Sequence, residues 1–233
     1  MTQYLPPNLL FQVSEISLKE ATDLERETCG QAENKRWLNE RKRRITASNF
    51  GTVCKCHSAG DKLALRLVEP REFSSRATSH GRQYESVAVE KFESIYGPTE
   101  ECGLFVCGTN PWLAASPDRL FGDGAVVEIK CPFTSKDRSI SQQTVPYLRQ
   151  NGSVFTLDPT HDYYYQIQGQ LLCTDRAKCF FCVFTLVDFV VVEIGRDESF
   201  IAAMSCQLTA FFDKYMKSAL LDKYKYHNYY KYF

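Results

Sequence analysis

The sequence predicts a mixed α/β (α+β) fold, a central mixed five-stranded sheet flanked by helices. Three observations predict it. Helical and alternating apolar patterns follow one another as helix, three strands, helix, two strands, helix, the order of a sheet covered by helices. The run Ala125–Lys130 alternates around β-branched residues, and Cys179–Leu186 and Phe189–Ile194 are strand-like in the same way. Gly122-Asp123-Gly124 supplies turn chemistry for a hairpin, the second glycine suiting the left-handed position of a three-residue loop.

Residues 1–20 read as a loosely ordered lead-in, residues 21–221 as one domain and residues 222–233 as an aromatic, basic tail. A helical segment is expected from Ala21 to Arg43, followed by a short helix for which Thr46 is the N-cap. A longer helix is expected from about Ser79 to Tyr96, stopped by Gly97-Pro98. Strands follow near Leu104–Val106, Trp112–Ser116 and Ala125–Lys130. After Pro132 comes a polar helix or loop, then a helix from about Asp162 to Cys173. Strands Cys179–Leu186 and Phe189–Ile194 join across Val187-Asp188, and an amphipathic helix closes the domain from Glu198 to about Leu221.

With 233 residues, 44% hydrophobic and 24% charged, the chain can bury a full core. Lys plus Arg equals Asp plus Glu at 28 each, so any attraction to a polyanion must be local. No apolar run approaches the roughly 20 residues that cross a bilayer, and Met1 to Pro7 lacks the charge-then-apolar order of a secretory leader. A soluble, intracellular protein without a membrane partner is expected, and its ten cysteines are expected to be reduced thiols. Cys54-Lys55-Cys56-His57 matches the spacing of neither a zinc ribbon nor a zinc finger, and Cys179 and Cys182 would point to opposite faces of a strand.

The chemistry concentrates in Ser116 to Lys130. A loop centred on Asp123 sets Asp118 opposite Glu128, and directly opposed residues have Cβ atoms roughly 4.5–5.5 Å apart. Two acids so placed repel unless a cation lies between them. Lys130 is about 6.6 Å further along the same face. Asp118 and Glu128 are therefore candidate ligands of a hard divalent cation, Mg²⁺ or Mn²⁺, with the Ile129 main-chain carbonyl as a further donor. Solvated acids on a surface hairpin are the alternative. Glu85 joins them because helical spacing puts it in the apolar row of Ala88, Val89, Phe92 and Tyr96, where a charged group needs a partner. That partner is either an arginine or the same metal centre.

Trp37 to Ser48 concentrates cations before a helix start, which makes either an anion site or a solvated face. Gln166 and Gln170 share one helix face and could bind phosphate or position a water, whereas the adjoining tyrosines are the usual residues of a packed core. Tyr224 to Phe233 mixes aromatics with cations as single-strand binders do, or is a frayed terminus.

Five blocks, Ile45-Thr46-Ala47-Ser48, Gly81…Glu85, Ala115-Ser116-Pro117-Asp118, Glu128-Ile129-Lys130-Cys131-Pro132 and Tyr165-Gln166-Ile167-Gln168, occur in the order found in the YqaJ-type, lambda-exonuclease-like family. The chain resembles that family from about Trp37 to Ile194. The resemblance implies a restriction-endonuclease-like core and a Mg²⁺-dependent 5′-to-3′ exonuclease on linear double-stranded DNA, using one or two ions. It implies Asp118 and Glu128 as ligands, Glu85 as the helix acid, Lys130 polarising the attacking water and Gln166 at the centre. It also implies Arg41 holding a terminal 5′-phosphate, with Ser48 and Ser116 as neighbouring contacts. Candidate partners are duplex DNA with a free 5′-phosphate, a homo-oligomer and a single-strand annealing protein. Arg119 stands where many relatives have glycine, and the cysteine content and aromatic carboxyl end also depart from the phage pattern. A structure-selective endonuclease and a non-catalytic nucleic-acid-binding module are the competing functions.

Overall fold

The structure, a computed structural model, describes residues 15–70 and 75–229. Residues 1–14 of the expected lead-in and the last four of the tail lie outside the described residues.

The helical segment expected from Ala21 to Arg43 is two helices, α1 (Leu18–Glu27) and α2 (Lys35–Arg41), separated by a 3-10 turn at Gln31–Glu33. Local polar side chains divide it. Ser17 and Glu20 form a capping box at the start of α1, and the Asn34 side chain accepts from the Arg36 and Trp37 amides to restart the helix. Thr46 does stand at a helix start, ahead of a 3-10 turn and α3 (Phe50–Cys54), but its hydroxyl caps no backbone amide. It accepts instead from Asn49 Nδ2 at 3.0 Å. Next come α4 (Gly60–Val68) and the long α5 (Arg76–Tyr96), whose own capping box is Ser75 with Thr78.

The sheet differs from the one expected. Four strands, β4 (Arg119–Phe121), β5 (Ala125–Lys130), β8 (Lys178–Phe184) and β9 (Phe189–Gly195), make the main sheet in the order β4-β5-β8-β9. The pair β5 and β8 is parallel and the others antiparallel, so the sheet is mixed. The first two of the five expected strands, Leu104–Val106 and Trp112–Ser116, instead form β2 (Phe105–Val106) and β3 (Leu113–Ala115) of a separate three-stranded sheet with β1 (Ile45–Thr46). The segment after Pro132 holds an unexpected hairpin, β6 (Leu148–Asn151) and β7 (Val154–Leu157). In the β4–β5 loop the left-handed residue is Gly122, at φ +54°, and not Gly124.

Side-chain alternation explains how the main sheet is covered. On β8, Cys179, Phe181 and Val183 pack toward α6 (Asp162–Thr174) with Ile167 and Leu171, while Phe180 and Cys182 pack toward Ala88, Val89 and Phe92 of α5. Cys179 and Cys182 therefore lie on opposite faces. All ten cysteines are free thiols. The small sheet packs with α3, α4 and α7 (Glu198–Phe211) in a third cluster around the fully buried Phe50 and Phe212. The closing helix is interrupted by a π-helical turn at Phe212–Met216 before α8 (Lys217–Tyr229).

Candidate active site

The β4–β5 ladder pairs Arg119 with Val127 and Phe121 with Ala125. One step further, the same register sets Asp118 opposite Glu128, as the sequence predicts. One Asp118 carboxylate oxygen accepts the Ile129 amide N–H at 2.6 Å, which fixes it against the end of the ladder. Glu128 lies on the α6 side of β5 and is only 2% exposed. Three donors hold it there. Lys130 Nζ and Gln166 Nε2, the latter at 2.6 Å, meet Oε1, and Gln170 Nε2 donates to Oε2 at 2.6 Å. A buried carboxylate persists only with such partners. The amide of Gln166, expected beside phosphate, is thus turned to Glu128, and Gln170 one turn later does the same.

Lys130 sits 4.7 Å from the Tyr163 ring centroid. Burial works against its charge, but Glu128 and Asp118 together push its pKa up, so it remains an ammonium. Asp118 is pushed well above the usual carboxylate range by burial and then by Glu128, with Lys130 opposing. Glu85, half-buried on α5, is raised by burial and by Glu128 and held back by Arg119 and Lys130. Two acids, Asp118 and Glu85, each raised by a neighbouring carboxylate mark a surplus of negative charge.

Among the described residues no three His, Cys, Asp or Glu side chains converge closely enough to enclose a metal ion alone. The donor chemistry nevertheless fits a hard divalent cation. Asp118 and Glu128 are oxygen donors at one ladder end, the Ile129 carbonyl follows Glu128 in the chain, and a cation there relieves their repulsion.

A second cluster lies upstream. The Arg41 guanidinium stacks 4.2 Å from the Trp37 ring centroid and donates to Ser48 Oγ at 3.2 Å, while Trp37 Nε1 donates to Ser116 Oγ at 2.8 Å. Arg41, Ser48 and Ser116 therefore meet around one indole. Burial lowers the Arg41 pKa to about 10, which leaves it cationic at neutral pH. Arg43 and the 3%-exposed Arg44 are engaged elsewhere, since both bind Glu40 and Arg44 also donates to the Pro111 carbonyl.

Two clefts share Glu85. One, of about 380 Å³, is lined by Gly81, Lys130, Phe133, Tyr147 and Tyr163. The other, of about 340 Å³, is lined by Gln31, Arg82, Asp118 and Arg119. Gln31 braces the second by donating to the Pro117 carbonyl at 2.7 Å. Sequence reasoning missed Gln31, Arg82 and Tyr147. Tyr147 precedes the unexpected hairpin, whose Gly152-Ser153 loop was the available signal.

A mixed sheet carrying opposed acids and a lysine on a hairpin, with helices on both faces, defines a restriction-endonuclease-like fold. Residues 36–177 match the YqaJ-like viral recombinase domain, and the chain belongs to that family. It is 28% identical over 211 residues to an alkaline nuclease of Orgyia pseudotsugata multicapsid polyhedrosis virus, covering 79% of this chain and 48% of the viral protein. The chain spans about half the length of the curated relatives it matches. An alkaline exonuclease from Laribacter hongkongensis, in complex with dAMP, matches with a TM-score of 0.64 at 25% identity, covering 82% of this chain and 97% of that one. The shutoff and exonuclease protein from Kaposi's sarcoma-associated herpesvirus shares the fold, with a TM-score of 0.59 at 12% identity over 86% of this chain and 73% of that one. A SOX–DNA complex and a KSHV SOX–RNA complex match equally well, at TM-scores of 0.59. No helix among the described residues is long and apolar enough to cross a membrane.

Proposed function

We infer that this chain is a divalent-metal-dependent deoxyribonuclease, a 5′-to-3′ exonuclease that acts on the ends of linear double-stranded DNA in recombination or DNA processing. One observation carries the reading. The buried Glu128, held by Lys130, Gln166 and Gln170, stands opposite Asp118, and the Arg41–Ser48–Ser116 cluster ends two residues before Asp118. A pure binding module has no reason to gather carboxylates beside a phosphate site. The nuclease and exonuclease names of the relatives point the same way, and the dAMP and SOX–DNA complexes among them fit a nucleic-acid substrate.

Asp118, Glu128 and the Ile129 carbonyl would hold Mg²⁺ or Mn²⁺, with Glu85 placed for a second ion. A divalent ion held by these groups would supply neutralisation of charge on the phosphate and a lowered pKa for the attacking water. The protein groups do the positioning. Lys130 orients the water with an ammonium N–H, and the two glutamines keep Glu128 in one rotamer. Arg41 offers a planar fork to a terminal phosphate, with Ser48 and Ser116 beside it. A strand fixed by that phosphate presents its first phosphodiester bond to the carboxylates, where water adds to phosphorus as the bond to the 3′-oxygen breaks, so the released nucleotide keeps its 5′-phosphate, ends in a 3′-hydroxyl and leaves a new 5′-phosphate on the strand. Fixed geometry and preorganised charge supply most of the acceleration.

The test compares 5′-phosphate with 5′-hydroxyl ends on an end-labelled duplex, in wild type and in Arg41→Ala. Wild type is expected to favour phosphate by about tenfold or more, the worth of a charge-assisted hydrogen-bond pair, and the variant to lose that preference. Equal rates on both ends in wild type would remove Arg41 from end binding. Cleavage of closed circles at the same rate would move the reading to an endonuclease.

A further inference from the structure

We propose that the 380 Å³ cleft beyond Lys130 is a nucleobase subsite that seats the base on the 3′ side of the bond to be cut. It rests on the nuclease reading above and adds to it a place for the next nucleotide.

Position is the first observation. Lys130, whose ammonium holds Glu128, lines the cleft together with Glu85, so the cleft opens beside the acid pair. Of the two clefts that share Glu85, the one beside Asp118 touches the Gln31 turn ahead of the Arg41 helix and the one beside Lys130 does not, so a strand that enters from Arg41 reaches the Lys130 cleft after the carboxylates. The second observation is the lining. Phe133, Tyr147 and Tyr163 give aromatic surface, and Gly81 on α5 leaves open space where a side chain would stand, with nothing within 4 Å of its missing Cβ. Aromatic surfaces stack on any base because every base has a π-face.

The Tyr147 hydroxyl is the third. It is buried with no hydrogen-bond partner, and its ring is fixed by Tyr163 at 4.9 Å, His161 at 5.2 Å and Phe181 at 6.1 Å. Buried polar groups are almost always paired, so an orphan hydroxyl on a cleft wall calls for an acceptor from a ligand. Bases carry one in purine N3 or pyrimidine O2, so a single donor serves without reading sequence. Other base-accommodating contacts are not required of the site.

Release of a labelled 5′-terminal nucleotide tests the subsite on duplexes carrying one abasic residue at the second or third position of the cut strand. With wild type, loss of the second base is expected to raise KM by about tenfold at little change in maximal rate, and loss of the third to do nothing. Gly81→Leu, which fills the open floor, is expected to raise KM on intact DNA and erase the abasic difference. Tyr147→Phe is expected to raise KM roughly threefold while its Tm stays level or rises, because the variant deletes an unpaired hydroxyl and keeps the ring. A purely structural tyrosine would not separate KM from stability in this way. Equal KM values for the intact and both abasic substrates in wild type overturn the subsite, and that comparison needs no variant. Wild type leaving intact duplex uncut overturns the nuclease reading and the subsite with it, so the two failures are told apart.

Discussion

Asp118 accepts one backbone amide and faces Glu128, and burial together with Glu128 outweighs the help its anion gets from Lys130. Its carboxylate is therefore a liability to the metal-free fold. Asp118→Asn keeps an acceptor for Ile129 while removing the charge, so it should abolish cleavage yet raise the metal-free Tm at neutral pH. A rise of about 2–4 °C is the shift that roughly 1 kcal/mol produces in a chain of this size. Thermal melts with and without Mg²⁺ check it, since the ion should raise the wild-type Tm and leave the variant unchanged. An unchanged or lowered Tm in Asp118→Asn would contradict the crowding. Residues of this kind were legible in the sequence because a two-residue strand period and a three-residue loop leave one register. Arg41 and Arg44 were not separable in the same way. A run of cations names no direction, and only packing turns Arg44 inward to Glu40 while Arg41 stacks on Trp37.

Among the elements, α6 carries the clearest consequence. Gln166 and Gln170 reach Glu128 only because α6 lies close against α3, and Gly169 is what permits this. A Cβ on Gly169 would stand 2.5 Å from the Phe50 ring and 3.2 Å from Ala47 Cβ. Helix propensity alone favours Gly→Ala by about 1 kcal/mol. Here overpacking should win, with Gly169→Ala destabilising by about 1–3 kcal/mol in urea denaturation. A second element-scale prediction concerns α7, whose N-cap Asp197 accepts the Phe200 amide at 2.9 Å and is held below the usual carboxylate range by it. That stabilisation is fully present once pH is well above about 4, the unfolded residue's pKa, and is lost as pH falls through the lower folded value. Asp197→Asn should flatten this part of the acid limb of Tm against pH, and parallel curves for the two proteins would remove the cap from acid stability. Helix α5 was readable almost end to end because its apolar row is long and Gly97 stops it. The pieces α1 and α2 were merged because Asn34 restarts a helix without interrupting the composition around it.

At the scale of the whole molecule, the class of fold was readable and the division of strands between sheets was not. Strands β5, β8 and β9 have six or seven residues with apolar alternation, so their membership follows from pattern. Strands β1 and β2 have two residues each, and Ile45 finds Leu113 by packing across the chain, which no local period announces. That small sheet matters to function because it fixes Ser116 and the Arg41 cluster beside the hairpin that bears Asp118 and Glu128. On the proposed function, these parts together form a metal-dependent site that cuts DNA from an end. Incubating linear and closed circular duplex with Mg²⁺ or with EDTA, for wild type and Asp118→Asn, tests it most directly. The expected result is loss of linear DNA only with wild type and Mg²⁺, with circles intact in every tube. Intact linear DNA in the presence of folded wild type and Mg²⁺, or undiminished cutting in EDTA or by Asp118→Asn, would contradict it.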